Sequence, residues 1–451
     1  MKLMKQIKLT KEMKIIFDTL QHFGYECFMV GGCVRDFLLG KQPNDIDFTT
    51  NATPKQMKEC FSHFPVIETG IKHGTLTVLI NNVHFEITTY RTDGIYIDNR
   101  HPDNVKFVSD IKEDLARRDF TINAIAFNPS VGFVDCFAGM QDLKNHIIRC
   151  VNNPIERFNE DSLRILRALR FSAAMDYEIE EKTKDACFKL AYLLKNISME
   201  RITSELFKTI VAPSGHKIIF DYIDIWGEVI PELLKMKDFQ QHNPHHVHDV
   251  LKHTCVALEK ATKNLIICLT ILFHDIGKPD TFTIDEKGNG HFYKHATKSM
   301  QITKDILDRL KVDNRTKDQV LTLIKYHDLD LQPTKKYIKK LCYKLGNLEM
   351  VKKLILVQRA DNYGQAPLHT ERIDKFNKID EIILQLEQEN LSFSLKDLMI
   401  NGNDLISLGL VGKEIGKSLK YLLNAVLNEQ VENDKEQLLD FLKKNLGENN
   451  E

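Results

Sequence analysis

Apolar and polar residues follow two different patterns along the chain, and the change falls near residue 147. Residues 11–23 place apolar side chains every three to four positions, which predicts an opening helix that stops at Gly24. From Tyr25 to about Asp135, short apolar runs separated by turn residues predict strands, among them CFMV, DIDFTT, GTLTVLI, VHFEITTY and VKFV. Beyond Ile147 the periodicity is helical. The pattern predicts an α+β fold: a small antiparallel β palm with helices, followed by an all-α remainder.

Breaks in this pattern predict the domain organisation. The chain of 451 residues exceeds what one hydrophobic core organises, so several domains are expected. Turn-forming clusters interrupt the helical part at Asn152-Asn153-Pro154, Pro213-Ser214-Gly215 and Asn243-Pro244. We therefore expect boundaries near 150, 238 and 375. The predicted domains are an α+β head at 1–150, a helical neck at 151–237, a helical body at 238–374 and a helical tail at 375–451.

Composition excludes several classes of protein without naming a function. Apolar residues make up 43% and charged residues 28% of the chain, which argues against extensive disorder. The formal net charge of −1 means that any surface for nucleic acid must be local. The nine cysteines contain no CxxC pair, as expected of reduced thiols in the cytoplasm. We see no signal-peptide pattern, and the longest apolar run, Leu265 to Phe273, is too short to span a bilayer. We expect a cytoplasmic protein with no membrane partner.

Two aspartates, Asp45 and Asp47, lie in the strand-like run DIDFTT. Residues two apart in a strand point to the same face, so the pattern predicts two adjacent carboxylates. Glu86, in VHFEITTY, offers a third carboxylate from a neighbouring strand. Adjacent anions repel unless a cation lies between them, and magnesium takes oxygen ligands from carboxylates and substrate phosphates. We therefore predict that the three carboxylates are catalytic and that Asp45 and Asp47 bind Mg²⁺ for a reaction of nucleotides.

A glycine turn precedes the aspartates. In GGCVRDFLLG the backbone N–H of Gly32 can approach a triphosphate closely, and Arg35 can add a charge-assisted hydrogen bond. Taken alone, a DxD is more often a solvated strand end and a GG a plain turn. The combined segment GGCVRDFLLGKQPNDIDFTTNATP, however, resembles the head-domain signature of the class II tRNA nucleotidyltransferase and bacterial poly(A) polymerase family.

The resemblance extends through the next two motifs. In DLARRDFTINA the arginine before the second aspartate contacts the nucleotide in this family, which gives that role to Arg118. The following segment, EDSLRILRALR, matches the family's EDxLR motif and places polar residues three apart on a predicted helical stripe. An ordinary salt-bridged helix face explains the same stripe. The resemblance implies nucleotide binding by the residues of this stripe, namely Asp161, Arg164, Arg167 and Arg170.

This stripe suggests how bases are selected without a nucleic-acid template. Cytosine and adenine both offer an exocyclic amino donor beside a ring-nitrogen acceptor, whereas guanine and uracil reverse that order. Asp161 can accept from the amino group and Arg164 can donate to the ring nitrogen, which leaves Arg167 and Arg170 for the base or the triphosphate. We therefore expect CTP and ATP to be accepted and GTP and UTP to be rejected.

A polar segment flanked by RTDG at 91–94 and NRHP at 99–102 resembles the family's flexible loop. In the CCA-adding members of the family that loop helps to switch from C to A addition. A plain surface connection explains the same residues equally well.

A second set of residues in the helical part resembles an HD-type phosphohydrolase domain. FHDIGK at 273–278 is flanked by further histidines and by Asp361. The resemblance implies a metal site formed by His253, His274, Asp275 and Asp361, with His295 and His327 as further candidates. Mixed imidazole and carboxylate ligands suit Mn, Fe, Ni, Co or Zn. A lone buried histidine is usually only a core residue, and the domain can also serve as a structural spacer.

The resemblance as a whole implies a nucleotidyltransferase that adds C, C and A to the 3′ end of tRNA from CTP and ATP. The C-terminal helices resemble the family's tail, which holds tRNA. A poly(A) polymerase or an A-adding enzyme shares the same head, so the sequence leaves these alternatives open. Two alternatives of other classes also remain: an HD phosphohydrolase with an RNA-binding head, and a non-catalytic tRNA-binding module.

Overall fold

A computed structural model describes residues 7–93, 105–242, 247–365, 370–388, 395–428 and 430–447. The chain forms two compact units, Met1–Pro231 and Glu232–Glu451. The first unit is α+β and the second is mainly helical, as the hydrophobic pattern predicts. Among the described residues, none of the helices combines the length and the apolar character needed to cross a membrane.

The first unit is built on a seven-stranded sheet with the order β3-β4-β5-β2-β1-β8-β9. The predicted runs CFMV, GTLTVLI, VHFEITTY and VKFV all contain strands, and two further pairs of short strands lie outside this sheet. The strands of this unit are β1 Cys27–Val30, β2 Asp47–Thr50, β3 Val66–Ile67, β4 Thr75–Ile80, β5 Val83–Thr89, β6 Arg91–Asp93, β7 Val105–Phe107, β8 Ile125–Asn128, β9 Gly132–Asp135, β10 Ile147–Ile148 and β11 Glu178–Ile179.

The expectation of an antiparallel palm is wrong at one central position. Strands β2 and β5 are parallel neighbours, while the other ladders of the sheet are antiparallel. After β2 the chain crosses to β3 at the edge of the sheet, and β4 then leads back to β5, which lies beside β2 in the same direction. Short parallel pairing also occurs beyond residue 147, between β10 and β11. Pairing direction depends on chain topology, which the local hydrophobic pattern does not encode.

Helices cover the sheet and continue as a helical segment to the end of the first unit. The opening helix has the predicted extent, because Thr10 caps its start through a hydrogen bond from Met13 and it ends before Gly24. The helices of this unit are α1 Lys11–His22, α2 Gly32–Leu38, α3 Pro54–Cys60, α4 Ile111–Ala116, α5 Gly139–Asn145, α6 Pro154–Glu160, α7 Leu163–Met175, α8 Glu181–Leu190, α9 Met199–Ile210, α10 Gly215–Asp221 and α11 Ile223–Gly227.

Among its described residues, the second unit contains helices and one short hairpin, β12 Thr283–Ile284 with β13 Gly290–His291. The longest apolar run of the sequence becomes a buried helix at the centre of this unit. The helices are α12 Val250–Lys260, α13 Leu265–Phe273, α14 Lys278–Thr281, α15 His295–Arg309, α16 Asn314–Tyr326, α17 Lys335–Leu345, α18 Leu348–Gly364, α19 Thr370–Gln388, α20 Gly402–Ile406, α21 Lys413–Leu427 and α22 Lys435–Gly447.

Two hydrophobic cores of the second unit are formed by different stretches of the chain. Helix α19 runs through residue 375, and its residues Phe376, Ile379 and Ile383 pack in one core with α17 and α18. A separate core joins Leu398 to α21 and α22. Helical periodicity predicts an apolar face, but it does not show which neighbouring core that face enters.

Gly139 at the start of α5 packs against the short 3₁₀ helix Thr121–Asn123. A Cβ atom at Gly139 would lie 2.1 Å from the carbonyl oxygen of Thr121, so any side chain there must move the backbone. We expect Gly139→Ala to lower the free energy of unfolding by about 1–3 kcal/mol, the usual cost of overpacking. Urea unfolding followed by circular dichroism measures this change.

Gly416 in α21 is the matched control for this prediction. A Cβ at Gly416 meets nothing within 4 Å, so Gly416→Ala should leave stability unchanged or raise it by up to about 1 kcal/mol. Equal effects of the two substitutions would contradict the close packing at Gly139.

Candidate functional site

Two carboxylates face each other across the parallel pair of strands. Asp47 is the first residue of β2, and its partner in the ladder is Glu86 of β5. Asp45 lies in the turn before β2 and not in the strand, so the argument that placed both aspartates on one strand face applies only to Asp47. Asp45 nevertheless acts electrostatically on Asp47. All three residues are exposed and therefore accessible to a substrate.

The electrostatics of this group favour a bound cation. Desolvation raises the pKa of Asp47, and the negative charges of Glu86 and Asp45 raise it further, while Arg118 opposes them. The donor set contains only carboxylate oxygens, which fits Mg²⁺. Within the described part of the chain, the three carboxylates do not form a group whose ligand oxygens all lie within 4.8 Å. A cation and substrate phosphates would complete the coordination.

The glycine turn brings its backbone close to Arg118. Gly31 has φ +82°, which a residue with a side chain rarely adopts, and a Cβ there would lie 2.9 Å from the Arg118 guanidinium. Arg118 is held by Asp114, whose carboxylate is 3.3 Å away and fully buried. Gly32 then begins α2. The glycine turn that contains Gly32 thus lies close to Arg118, which also acts electrostatically on Asp47.

Three predicted arginines surround one aromatic ring. The guanidinium carbons of Arg35, Arg167 and Arg170 lie 5.2, 5.5 and 3.9 Å from the ring centroid of Phe171. Cation–π attraction holds guanidinium groups against an aromatic ring at these distances. The sequence analysis did not single out Phe171, although it directly follows Arg170. The structure therefore brings the predicted phosphate-binding arginine of the head together with two arginines of α7.

Each of these arginines also has a hydrogen-bonding partner. Arg35 donates to the Asn123 side chain at 2.7 Å and forms an ion pair with Asp36. Arg167 pairs with buried Asp119, and Arg170 pairs with Glu205 of α9 at 2.6 Å. Apart from Asp36, these partners are distant in sequence from the arginines, so spacing alone does not reveal them.

Asp161 and Arg164 are placed differently from the helical stripe expected for them. Asp161 ends α6 with an extended backbone, and its carboxylate accepts from the Leu163 amide and from Arg201. Arg164 lies on α7, where it is buried and donates to Glu160 and to the carbonyl oxygen of Arg117. A break between α6 and α7 separates them, since Asp161 is the C-cap of α6 and Ser162 is the N-cap of α7.

The four residues of the predicted HD site do come together in the second unit. His253 Nε2 lies 2.9 Å and His274 Nε2 lies 3.2 Å from the same oxygen of Asp361. Asp275 completes the group, with all four ligand atoms within 4.8 Å of one another. Gly364 permits this packing, because a Cβ there would lie 2.7 Å from the His253 ring. Helices α12, α13 and α18 thus supply a compact cluster with imidazole and carboxylate ligands.

A second group shares Asp275 with the first. Asp275, His295 and His327 also place their ligand atoms within 4.8 Å of one another. The Nδ1 atoms of His274, His295 and His327 donate to the backbone carbonyls of Ile271, Phe292 and Ile324. This second hydrogen bond is typical of metal-ligating histidines, because it orients Nε2 towards the ion. The residues present fit one or two transition-metal ions.

The histidines and aspartates of this cluster shift one another's pKa. Burial by itself lowers the pKa of His274, but the neighbouring carboxylates of Asp275 and Asp361 outweigh burial and raise it to about 10. Burial likewise opposes ionisation of Asp275, whereas His274 and Lys278 lower its pKa well below the usual range. The carboxylates of Asp275 and Asp361 thus remain ionised in a buried site, whereas His274 must lose its proton to bind a metal ion.

A cavity of about 530 Å³ opens onto the cluster. Positively charged residues also line it, namely Lys278, Lys294, Arg372 and Lys375. Such a combination of metal ligands and cations suits a phosphate ester.

Some residues of interest lie outside the described part of the chain. They are His245 and His246, and the segment from Gly94 to Pro102 of the predicted flexible loop.

Family models match three segments of the chain. Residues 27–149 match "Poly A polymerase head domain", residues 176–221 match "Probable RNA and SrmB- binding site of polymerase A", and residues 293–442 match "tRNA nucleotidyltransferase domain 2". The mixed sheet, its carboxylates and these matches define a nucleotidyltransferase.

Similarity over the full length narrows this class to one family. The CCA-adding enzyme of Lactobacillus helveticus is 34% identical and the match covers 95% of each chain. That of Lactococcus lactis subsp. lactis is 32% identical, with 98% of this chain and 100% of the relative covered. The Bacillus stearothermophilus CCA-adding enzyme in complex with CTP has a TM-score of 0.72 at 25% identity, over 98% of this chain and 99% of that structure. This chain belongs to the CCA-adding enzyme family.

The ion pair between Arg167 and Asp119 makes the stability of the first unit depend on pH. Burial opposes ionisation of Asp119, but Arg167 and Asn123 lower its pKa to about 2. The folded value lies below the unfolded value of about 3.9, so the stabilisation is complete above pH 5 and disappears as the pH falls towards 2. We expect Asp119→Asn to remove about 2–3 kcal/mol at pH 7 and to flatten the pH dependence below pH 5.

Urea unfolding followed by the fluorescence of Trp226 tests this prediction, since this single tryptophan is buried in the first unit. Glu68→Gln is the control, because Glu68 pairs with Lys58 at an exposed position and should contribute less than about 1 kcal/mol. A substitution at Asp119 that costs no more than the control would contradict the buried pair.

Proposed function

We propose that this chain is a template-independent tRNA nucleotidyltransferase that adds C, C and A to the 3′ end of tRNA. CTP and ATP are its nucleotide substrates, and pyrophosphate is released. The terminal ribose hydroxyl of tRNA attacks the α-phosphorus, a new P–O bond forms, and the bond to pyrophosphate breaks. The observation that carries this proposal within the molecule is the pairing of Asp47 with Glu86, beside Asp45 and Arg118. Full-length similarity to CCA-adding enzymes supports it independently.

We assign roles to the residues around this group. Asp45 and Asp47 hold Mg²⁺, with Glu86 as the third catalytic carboxylate, and the ion supplies Lewis-acid stabilisation of the phosphoryl group when bound. The Gly32 backbone and Arg35 bind the triphosphate, since α2 begins at Gly32 and the Arg35 guanidinium is fixed by Asn123.

The remaining residues of the site serve nucleotide recognition. Arg118 supports the nucleotide beside the carboxylates. Asp161 accepts from the amino group of cytosine or adenine and Arg164 donates to the adjacent ring nitrogen, while Arg167 and Arg170 contact the base or the triphosphate. The opposite donor and acceptor order of guanine and uracil leaves buried polar groups unpaired, which costs about 1–3 kcal/mol.

We assign a separate role to each of the four predicted domains. Residues 1–150 form the catalytic head, 151–237 the nucleobase-recognition neck, 238–374 the HD body and 375–451 the tRNA-binding tail. The similarity of residues 293–442 to a tRNA nucleotidyltransferase domain supports a role of the last two in the same enzyme. Because tRNA, CTP and ATP are its substrates, we assign the protein to the cytoplasm.

Incorporation of each labelled NTP into tRNA transcripts tests the main proposal. With Mg²⁺, transcripts that end at the discriminator base, at C and at CC should gain CCA, CA and A and then stop. Asp47→Asn should lower kcat by roughly a hundredfold or more, since the metal supplies several kcal/mol of transition-state stabilisation. Asp18→Asn, at an exposed position of α1, should keep the activity of the original chain.

Other outcomes of this assay would point elsewhere. Addition of A only to transcripts ending in CC would indicate an A-adding enzyme, and a long A tail on any RNA would indicate a poly(A) polymerase. Incorporation that survives Asp47→Asn would contradict the proposed head site.

We propose a second activity for the cluster of His253, His274, Asp275 and Asp361: metal-dependent hydrolysis of phosphate esters by an HD-type domain. The observation that favours it is the convergence of four ligand atoms within 4.8 Å beside a cavity lined by lysine and arginine. Mn, Fe, Ni, Co or Zn suits this ligand set, and the ion supplies Lewis-acid chemistry when bound.

Metal binding and hydrolysis should depend on this cluster and not on the head. We expect calorimetry with Mn²⁺, Ni²⁺ or Zn²⁺ to show binding that His274→Ala weakens by at least about tenfold, since a ligand is lost. Hydrolysis of bis(p-nitrophenyl) phosphate should disappear in parallel, while Asp47→Asn retains it. His248→Ala is the control, because His248 lies outside the cluster. Metal binding without hydrolysis would support a structural role of the domain.

A further inference from the structure

We propose that Arg201 is a positioning residue that sets nucleotide selection by orienting the carboxylate of Asp161. This inference rests on the proposed role of Asp161 in base recognition. Arg201 donates to both oxygens of Asp161, with Nη2 at 2.8 Å from Oδ2 and Nη1 at 3.3 Å from Oδ1. A bidentate pair of this kind fixes direction as well as distance, because the guanidinium and the carboxylate are both planar.

The pairing with Arg201 leaves one hydrogen-bond acceptor position of the Asp161 carboxylate for a ligand. A carboxylate offers about four acceptor positions, two on each oxygen. Described residues fill three of them, since Oδ1 accepts from Arg201 and from the Leu163 amide, and Oδ2 accepts from Arg201. The remaining position on Oδ2 can accept one N–H. An exocyclic amino group of cytosine or adenine supplies that N–H, whereas the carbonyl oxygen of uracil or guanine would face a fixed anion.

Helix α9 supports this role through its packing against α7. Arg201 and Glu205 are four residues apart, so they share one face of α9. Arg201 holds Asp161 and Glu205 holds Arg170, which are both predicted nucleotide residues. The Arg201 and Asp161 side chains are only 24% and 16% exposed, so water competes little for their hydrogen bonds. Helix α9 thus supports two residues that we assign to nucleotide recognition.

Without Arg201 the Asp161 carboxylate would still be present, but its orientation would no longer be fixed. Asp161 could then rotate away from a carbonyl oxygen, and the penalty for UTP or GTP would fall. A direct contact of Arg201 with RNA predicts something different, although it lies in the segment 176–221 that matches a model for RNA binding. Such a contact would change the KM for tRNA and leave the choice of nucleotide unaffected.

The experiment compares CTP with UTP as substrates of the full chain and of Arg201→Met, with a transcript that ends at the discriminator base. We expect the ratio of kcat/KM for CTP over UTP to fall by about ten- to a hundredfold, with the KM for tRNA unchanged. Arg201→Lys should recover part of the ratio, because lysine restores one charged donor but not the bidentate geometry. A raised KM for tRNA with an unchanged ratio would overturn the proposal.

A double-mutant cycle shows whether Arg201 acts through Asp161. In an Asp161→Ala background, Arg201→Met should not change the CTP/UTP ratio further, whereas independent roles would give additive effects. Arg149→Met is the matched control, because Arg149 forms an ion pair with Asp142 in the same unit and should leave the ratio unchanged. Trp226 fluorescence identifies any variant that fails to fold.

Nucleotide binding separates failure of this proposal from failure of the proposed function. An original chain that incorporates no nucleotide into tRNA would contradict the proposed function. The dissociation constants for CTP and UTP would still test Arg201, since Arg201→Met should reduce their ratio. An unchanged ratio in a folded protein overturns the role of Arg201 whether or not the chain is active.

Discussion

The ion pair between Arg167 and Asp119 connects two parts of the first unit that are far apart in sequence. Asp119 also accepts from the Asn123 side chain, and Asn123 in turn accepts from Arg35. A continuous series of hydrogen bonds therefore runs from α7, which carries the predicted base-reading arginines, to α2, which follows the glycine turn. Charged groups that bond in series strengthen one another in a buried site. The position of the triphosphate arginine thus depends on the position of the base-reading helix.

The two candidate sites differ in the chemistry of their ligands. The head offers exposed carboxylates on a sheet, which suit a hard cation that keeps water and substrate phosphates as further ligands. The second unit offers histidines and aspartates that are almost wholly buried and already oriented by backbone carbonyls. Such a site selects transition metals and needs little rearrangement. The metals that we propose for the two sites therefore differ in type, with Mg²⁺ in the head and a transition metal in the second unit.

Local sequence patterns predicted much of the fold, and several residues that they singled out lie close together in the two candidate sites. The strands around Asp47 and Glu86 and the opening helix follow from the hydrophobic pattern, whereas the cluster at His274 was expected from the resemblance to an HD-type domain. Contacts between distant residues could not be predicted in this way. Asn123 lies 88 positions from Arg35, and Arg201 lies 40 positions from Asp161. The parallel pairing of β2 with β5 and the core that α19 joins are likewise consequences of topology.

The EDSLR segment shows how the local geometry of a motif can differ from the regular helix that its spacing predicts. Regular spacing predicted one continuous stripe from Asp161 to Arg170. Helix α6 instead ends at Glu160, because the Asp161 side chain accepts a hydrogen bond from the backbone amide of Leu163 at the start of α7.

That break has a functional consequence. A side chain on a regular helix takes its direction from the helix, whereas a residue between two helices needs a separate support. Arg201 provides this support for Asp161, and Glu160 provides it for Arg164. A protein that selects bases without a template must fix its donors and acceptors as firmly as base pairing does. Ion pairs behind the recognising residues meet this requirement, because they hold both groups in place before a nucleotide arrives.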